Sequence, residues 1–271
     1  RDDDGGSRSE REPGALNRRR LLCGFFGGLA AAAAAPAAPA STVAAGPSEA
    51  PAAARARRFR QALPSKPWLR TMEGLLADPT PVPQLEISGR LPRRLQGVLF
   101  RNGPAGFELG GHRAGHWFDG DGMVQRWGID NGCVSHRAAF VRTNKFLAER
   151  DAGRPLYPGF ASVVENPRPA ARPDDLNVAN ISVLPVGDEL WALWEAGSPW
   201  RLGAESLETL GMQRFDGRAG GLPFSAHPRL APDGTIWNFG YASAARRLFF
   251  WQLDRSGALK RVRFLNVPST G

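Results

Sequence analysis

Cysteine is nearly absent. Cys23 and Cys133 are the only two in 271 residues, so no disulfide framework staples this chain and no Cys-x-x-Cys pair exists for zinc. Tyrosine is as scarce, and histidine is limited to four residues, which confines imidazole chemistry to His112, His116, His136 and His227. No Walker loop, strand-associated Gly-x-Gly-x-x-Gly or Gly-x-Ser-x-Gly elbow occurs, which removes the usual phosphate cradles and the strained nucleophile turn. Long uninterrupted helices are excluded in another way: glycine (32) and proline (23) together make up about a fifth of the chain. What is present is apolar and aromatic. Hydrophobic residues account for 42%, with 8 tryptophans and 15 phenylalanines, ample for a buried core.

The net charge of +9 gains meaning from its location. Residues 1–70 carry 12 Lys and Arg against 6 Asp and Glu, whereas the remainder carries 23 against 20. The excess is therefore concentrated in an N-terminal arm, and with no nucleic-acid module in view no nucleic-acid partner is expected. Within the arm, Asn17-Arg18-Arg19-Arg20-Leu21-Leu22 leads into a mildly apolar, alanine-built stretch to Ala35, then Pro36, Pro39 and Ala-x-Ala patterns. A basic region, a short apolar region and small residues before a cut site form a targeting signal over residues 1–45, and the adjacent arginines read as a twin-arginine signal. Export to a periplasm follows, with a plastid address as the alternative. The alanine run is too weak and too broken by proline to span a membrane. Residues 46–84, rich in Ala, Pro and Arg, read as a linker with a short surface helix, where Arg57 and Arg58 beside Phe59 and Trp68 offer a peripheral membrane contact.

From residue 85 the pattern becomes short apolar runs between turn signals, which predicts strands. Gly97–Phe100 is expected to stop at Arg101-Asn102-Gly103-Pro104. Asp130-Asn131-Gly132 separates Met123–Ile129 from Cys133–Val141, a hairpin signature. Gly187-Asp188 divides Ile181–Val186 from Glu189–Glu195, Pro232-Asp233-Gly234 precedes Thr235–Tyr241, and Asp254-Arg255-Ser256-Gly257 divides Leu248–Leu253 from Leu259–Phe264. Such spacing without helical periodicity predicts an all-β architecture: sandwich, barrel or propeller.

The histidines differ in what surrounds them. His112 and His116 have the spacing of a helical metal pair, but Gly110, Gly111 and Gly115 disfavour a helix there. His136 alternates with apolar neighbours and falls on the polar face of a strand. His227 sits in Leu222-Pro223-Phe224-Ser225-Ala226-His227-Pro228, where the following proline imposes extended geometry. On the residues alone it reads as a buried, hydrogen-bonded structural histidine, and Ser225 lacks the positioned base and third group of a triad. Asp119-Gly120-Asp121-Gly122 resembles the start of a calcium loop but lacks its later ligands, so a tight glycine-permitted turn is the reading.

Several motifs in order then carry a resemblance. Leu95–Pro104 (LQGVLFRNGP), His116–Met123 (HWFDGDGM), Phe140–Thr143 (FVRT), Leu190–Gly197 (LWALWEAG), Leu207–Gly211 (LETLG) and Ser225–Pro228 (SAHP) resemble the opening motifs of the carotenoid cleavage oxygenases over roughly Leu91 to Tyr241. The resemblance implies a seven-bladed β-propeller, of which residues 85–271 would be an incomplete part. It implies a non-haem Fe(II) held by four histidines, and cleavage of a conjugated double bond of a carotenoid, apocarotenoid or stilbene-like substrate by O₂ to carbonyl products. His227 matches the first iron ligand, and Glu195 the glutamate that hydrogen-bonds a ligand imidazole. No histidine follows His227, so the chain is expected to be an N-terminal fragment, inactive alone. The rival expectation is a non-catalytic exported propeller that binds a hydrophobic ligand or a protein.

Overall fold

The structure is a computed structural model that describes residues 51–215 and 219–268. The targeting segment read over residues 1–45 lies outside the described residues.

Strand formation follows the turn chemistry. Asn131 and Gly132 both take positive φ (48° and 79°), the conformation of a two-residue hairpin turn, and they join β4 (Asp121–Asp130) to β5 (Cys133–Phe140). With β1 (Gly97–Gly106) these make a three-stranded antiparallel sheet in the order β1-β4-β5. The expected stop at Arg101 is corrected: β1 runs on through Pro104 to Gly106, with a register shift between Pro104 and Gly106. As an edge strand β1 tolerates the proline, which owes no hydrogen bond on its open side. A ribbon of β2 (Glu108–Leu109) and β3 (His112–Arg113) follows.

Two four-stranded meanders come next. One contains β6 (Ser182–Val186), β7 (Glu189–Leu193), β8 (Trp200–Gly203) and β9 (Thr209–Met212); the other contains β10 (Arg229–Leu230), β11 (Ile236–Ala242), β12 (Arg247–Leu253) and β13 (Leu259–Asn266). Strands β8 and β9, four residues each, escaped sequence recognition because they are too short to show a period. So did α2 (Asn144–Ala152), although its ends are signposted. The Thr143 hydroxyl accepts from Phe146 N, and Gly153 closes the helix in the left-handed region.

The three sheets stack face to face. Val124, Val141 and Ala179 meet Leu190, Ala192, Trp200 and Leu202 in one core. Leu184, Trp191 and Leu193 meet Ile236, Phe249, Trp251 and Leu253 in the next. Strand β7 contributes alternate residues to both, which is why Leu190-Trp191-Ala192-Leu193 is apolar without interruption and fully buried. Successive antiparallel meanders packed in this way are consecutive blades of a β-propeller. A third cluster of Met123, Ala138, Phe140 and Phe146 seats α2 on the first sheet.

The segment ahead of the strands is bonded to the body. Val82 bridges His136, Leu85 N donates to Val134 O, and Asp78 accepts from Phe140 N. Helix α1 (Pro51–Ala62) buries Ala56 and seats Phe59 against the Arg113 guanidinium, 3.4 Å above the ring, whereas Trp68 is exposed. No helix among the described residues is long and apolar enough to cross a membrane.

Candidate functional site

His227 stands just ahead of β10 on a loop whose backbone is held at every step. Trp251 Nε1 donates to Pro223 O (2.9 Å), Phe224 N to Gly197 O (3.3 Å) and Ser225 N to Phe239 O (2.8 Å). Ser182 Oγ, from the preceding blade, donates to Ala226 O at 2.6 Å. Gly240 permits this approach, because a Cβ there would lie 1.8 Å from Pro223 O. The loop is therefore wedged between two blades.

Glu195 lies in the β7–β8 connection, and that loop has its own anchor. Buried Asp174 accepts from Ser198 N (2.6 Å), Ser198 Oγ (2.9 Å) and Asn177 Nδ2 (3.2 Å), while Asn177 Nδ2 also reaches Ser198 O (2.9 Å). Gly197 packs so closely on this group that a Cβ would meet Asn177 Nδ2 and Asp174 Oδ1 at 2.6 Å. Sequence reasoning missed Asp174, Asn177 and Ser198, since nothing local marks residues that meet only in the tertiary fold.

The two anchored loops bring Glu195 Oε1 to 2.6 Å from His227 Nε2. The expectation of a buried His227 is corrected: its side chain is 59% exposed. Loop placement explains the difference: Phe224, Ser225 and Ala226 just before it are buried, whereas His227 leads into β10, whose two residues are exposed. A carboxylate this close to one ring nitrogen constrains the orientation of the imidazole. Metal-ligating histidines are commonly held by an acceptor on the ring nitrogen away from the metal.

The other histidines do not converge on it. His112 Nδ1 bonds Gly110 O (2.9 Å) on the β2–β3 ribbon, and His116 accepts from Phe118 N, so the pair shares no helix. His136 Nε2 bonds Gln125 Oε1 (3.2 Å) on the sheet face as expected. Nor is the Asp-Gly-Asp-Gly run a calcium loop. Asp119 accepts from Phe160 N, Ala161 N and Ser162 Oγ, whereas Asp121 pairs with buried Lys145 at 3.2 Å. Its glycines serve close approach rather than a left-handed turn: Cβ atoms at Gly120 and Gly122 would meet the Phe107 ring at 2.6 Å and Ala179 O at 2.2 Å.

Among the described residues no group of three or more His, Cys, Asp or Glu could hold a metal. Iron bound by imidazoles needs several of them, so the residues present fit one ligand position and its orienting carboxylate, not a whole centre.

A family model described as retinal pigment epithelial membrane protein matches residues 76–270. The chain is 40% identical over 200 residues to an apocarotenoid-15,15'-oxygenase of Synechocystis, covering 68% of this chain and 40% of that protein. It is 31% identical to resveratrol cleavage oxygenase 1 of Aspergillus fumigatus, over 69% of this chain and 38% of the relative. Among solved structures, a lignostilbene dioxygenase of Pseudomonas brassicacearum superposes with a TM-score of 0.63 at 33% identity, covering 72% of this chain and 41% of that one. The chain thus spans about two fifths of the length of the curated relatives it matches. By sequence and by the stacking of its blades, it belongs to the carotenoid cleavage oxygenase family, that of the retinal pigment epithelial membrane protein.

Proposed function

We propose that this chain supplies part of an Fe(II)-dependent oxygenase that splits a conjugated double bond of a carotenoid, apocarotenoid or stilbene-like substrate. His227 provides one imidazole ligand and Glu195 holds that ring. The observation that carries the reading is the 2.6 Å approach of Glu195 Oε1 to His227 Nε2, where two independently anchored loops meet. A carboxylate behind a ligand imidazole fixes its tautomer and raises its basicity.

Iron, when bound, supplies the binding and activation of O₂, and the overall reaction adds one O₂ across one C=C to give two carbonyl groups. The chain's own part is positional. The Glu195 carboxylate, 2.6 Å from Nε2, orients the imidazole, and the buried Asp174 network fixes the same loop at Ser198, three residues further on. The named substrates of the relatives are conjugated and largely apolar, which supports a polyene or stilbene-like ligand here.

The test uses the complete protein that carries this sequence, purified with iron and supplied with polyenes and stilbenes. Aldehyde products from the wild type and loss of iron in His227→Ala are expected. Stoichiometric iron without product sinks the catalytic reading, and full iron in His227→Ala sinks the site. We propose further that residues 1–45 direct export. Replacing Arg18 and Arg19 by lysine should then retain the precursor in the cytoplasm, and unchanged export would refute it.

A further inference from the structure

We propose that Ser225 and Asn238 are positioning residues for His227, an inference that rests on reading His227 as an iron ligand.

Both side chains are buried, Ser225 wholly and Asn238 to 6% exposure, and they sit against the apolar core of Phe224, Ile236, Trp251 and Leu253. Burying polar groups there is costly unless each is satisfied, and an apolar pair of similar size would avoid the cost. These two satisfy each other in a closed ring. Ser225 Oγ donates to Asn238 Oδ1 at 2.8 Å, and Asn238 Nδ2 donates to Ser225 O at 2.8 Å. The backbone carbonyl of Ser225 sets the amide orientation, because the reversed amide would oppose two oxygens there.

The hydroxyl has a second role. Having donated to Asn238, Ser225 Oγ accepts from the His227 backbone N–H at 3.3 Å, a turn of the kind serine makes to the residue two positions on. Asn238 lies in β11 opposite Trp251 of β12, one residue beyond the stretch of β11 that pairs with β10. A rigid sheet position is therefore transmitted through one hydroxyl to the backbone of the residue that carries the imidazole. Ser182 Oγ restrains the preceding carbonyl, that of Ala226, from the neighbouring blade, while Asn102 Nδ2 in turn bonds Ser182 O at 3.1 Å. His227 is thus approached from three sheets, and the Ser225–Asn238 link is the one that reaches its own N–H among the described residues. A ligand imidazole is useful only if held close to its productive orientation, and the groups behind it set that orientation.

The experiment measures Fe(II) affinity by chelator competition under argon in the complete protein, with Co(II) absorption as a spectroscopic readout and thermal unfolding alongside. Ser225→Ala is expected to weaken affinity by about 10–100-fold and to shift the Co(II) band. Ser225→Thr, which retains the oxygen, restores both. Ile236→Val, in the same core, lowers the melting temperature but leaves affinity and band unchanged. Ser225→Cys preserves volume with a poor hydrogen-bonding group and replaces the alanine variant should that one not fold. Wild-type affinity and band in Ser225→Ala or Ser225→Cys, with metal lost in His227→Ala, overturn the positioning role alone. Metal retained in His227→Ala overturns the ligand assignment beneath it, so the two failures are distinct.

Discussion

At Lys145 three charges are taken out of water together. Its Nζ lies 3.2 Å from Asp121 Oδ1 and 2.7 Å from Glu149 Oε2, and Glu149 also accepts from the backbone of Leu156 and Tyr157. Burial alone would depress the ammonium, but the two carboxylates outweigh it and hold it up to about 12. A folded-state value above the unfolded one means that this stabilisation is complete below pH ~10.5 and is lost as pH rises through about 12. Lys145→Met should therefore remove that alkaline segment of the stability profile. At neutral pH it should cost about 3–5 kcal/mol, since two carboxylates are left without their cation. Urea midpoints of the two proteins across pH 8–12 check both, and parallel profiles would refute the assignment. In sequence Asp121 read as part of a tight turn, and nothing near it disclosed a lysine 24 positions on as its partner.

At the scale of elements, turn chemistry carried most of the information. Asn131-Gly132 stood in the sequence as a hairpin signal and Gly187 as a turn, and all three residues take positive φ in the structure. Strand ends were less legible, as Pro104 shows, because an edge strand accepts a residue that a central one rejects. Gly240 belongs to a class that sequence alone does not reveal. Its φ is ordinary, and what demands glycine is the loop of His227 lying across it. Gly240→Ala is expected to push that loop outward, costing about 1–3 kcal/mol and weakening metal binding together with stability. Melting temperature and iron content measured on one preparation test this. A fully stable variant with wild-type iron would show that the loop yields without consequence.

Across the whole molecule, the stacking of blades decides which apolar faces are covered. The β10–β13 blade buries Trp251 and Leu253 against its neighbour, while Trp237, Phe250 and Leu265 on its opposite face are 47%, 41% and 60% exposed. Large apolar side chains exposed on one face of a sheet favour association. These 271 residues produced alone should therefore self-associate, and Trp237→Lys with Phe250→Lys should reduce it, as read by light scattering. A monodisperse wild type would contradict the expectation. What the sequence determined unaided was local: turn residues, alternation, the ordered motifs of the family, and the candidacy of His227 and Glu195. Each depends on side chains within a few positions of one another. The tertiary structure alone decided that β7 serves two cores, that Asp174 anchors the loop of Glu195, and that a hydroxyl bonded to a neighbouring strand braces the backbone of His227. Those contacts join residues far apart in the chain, and their partners are selected by packing between layers, which no local pattern encodes.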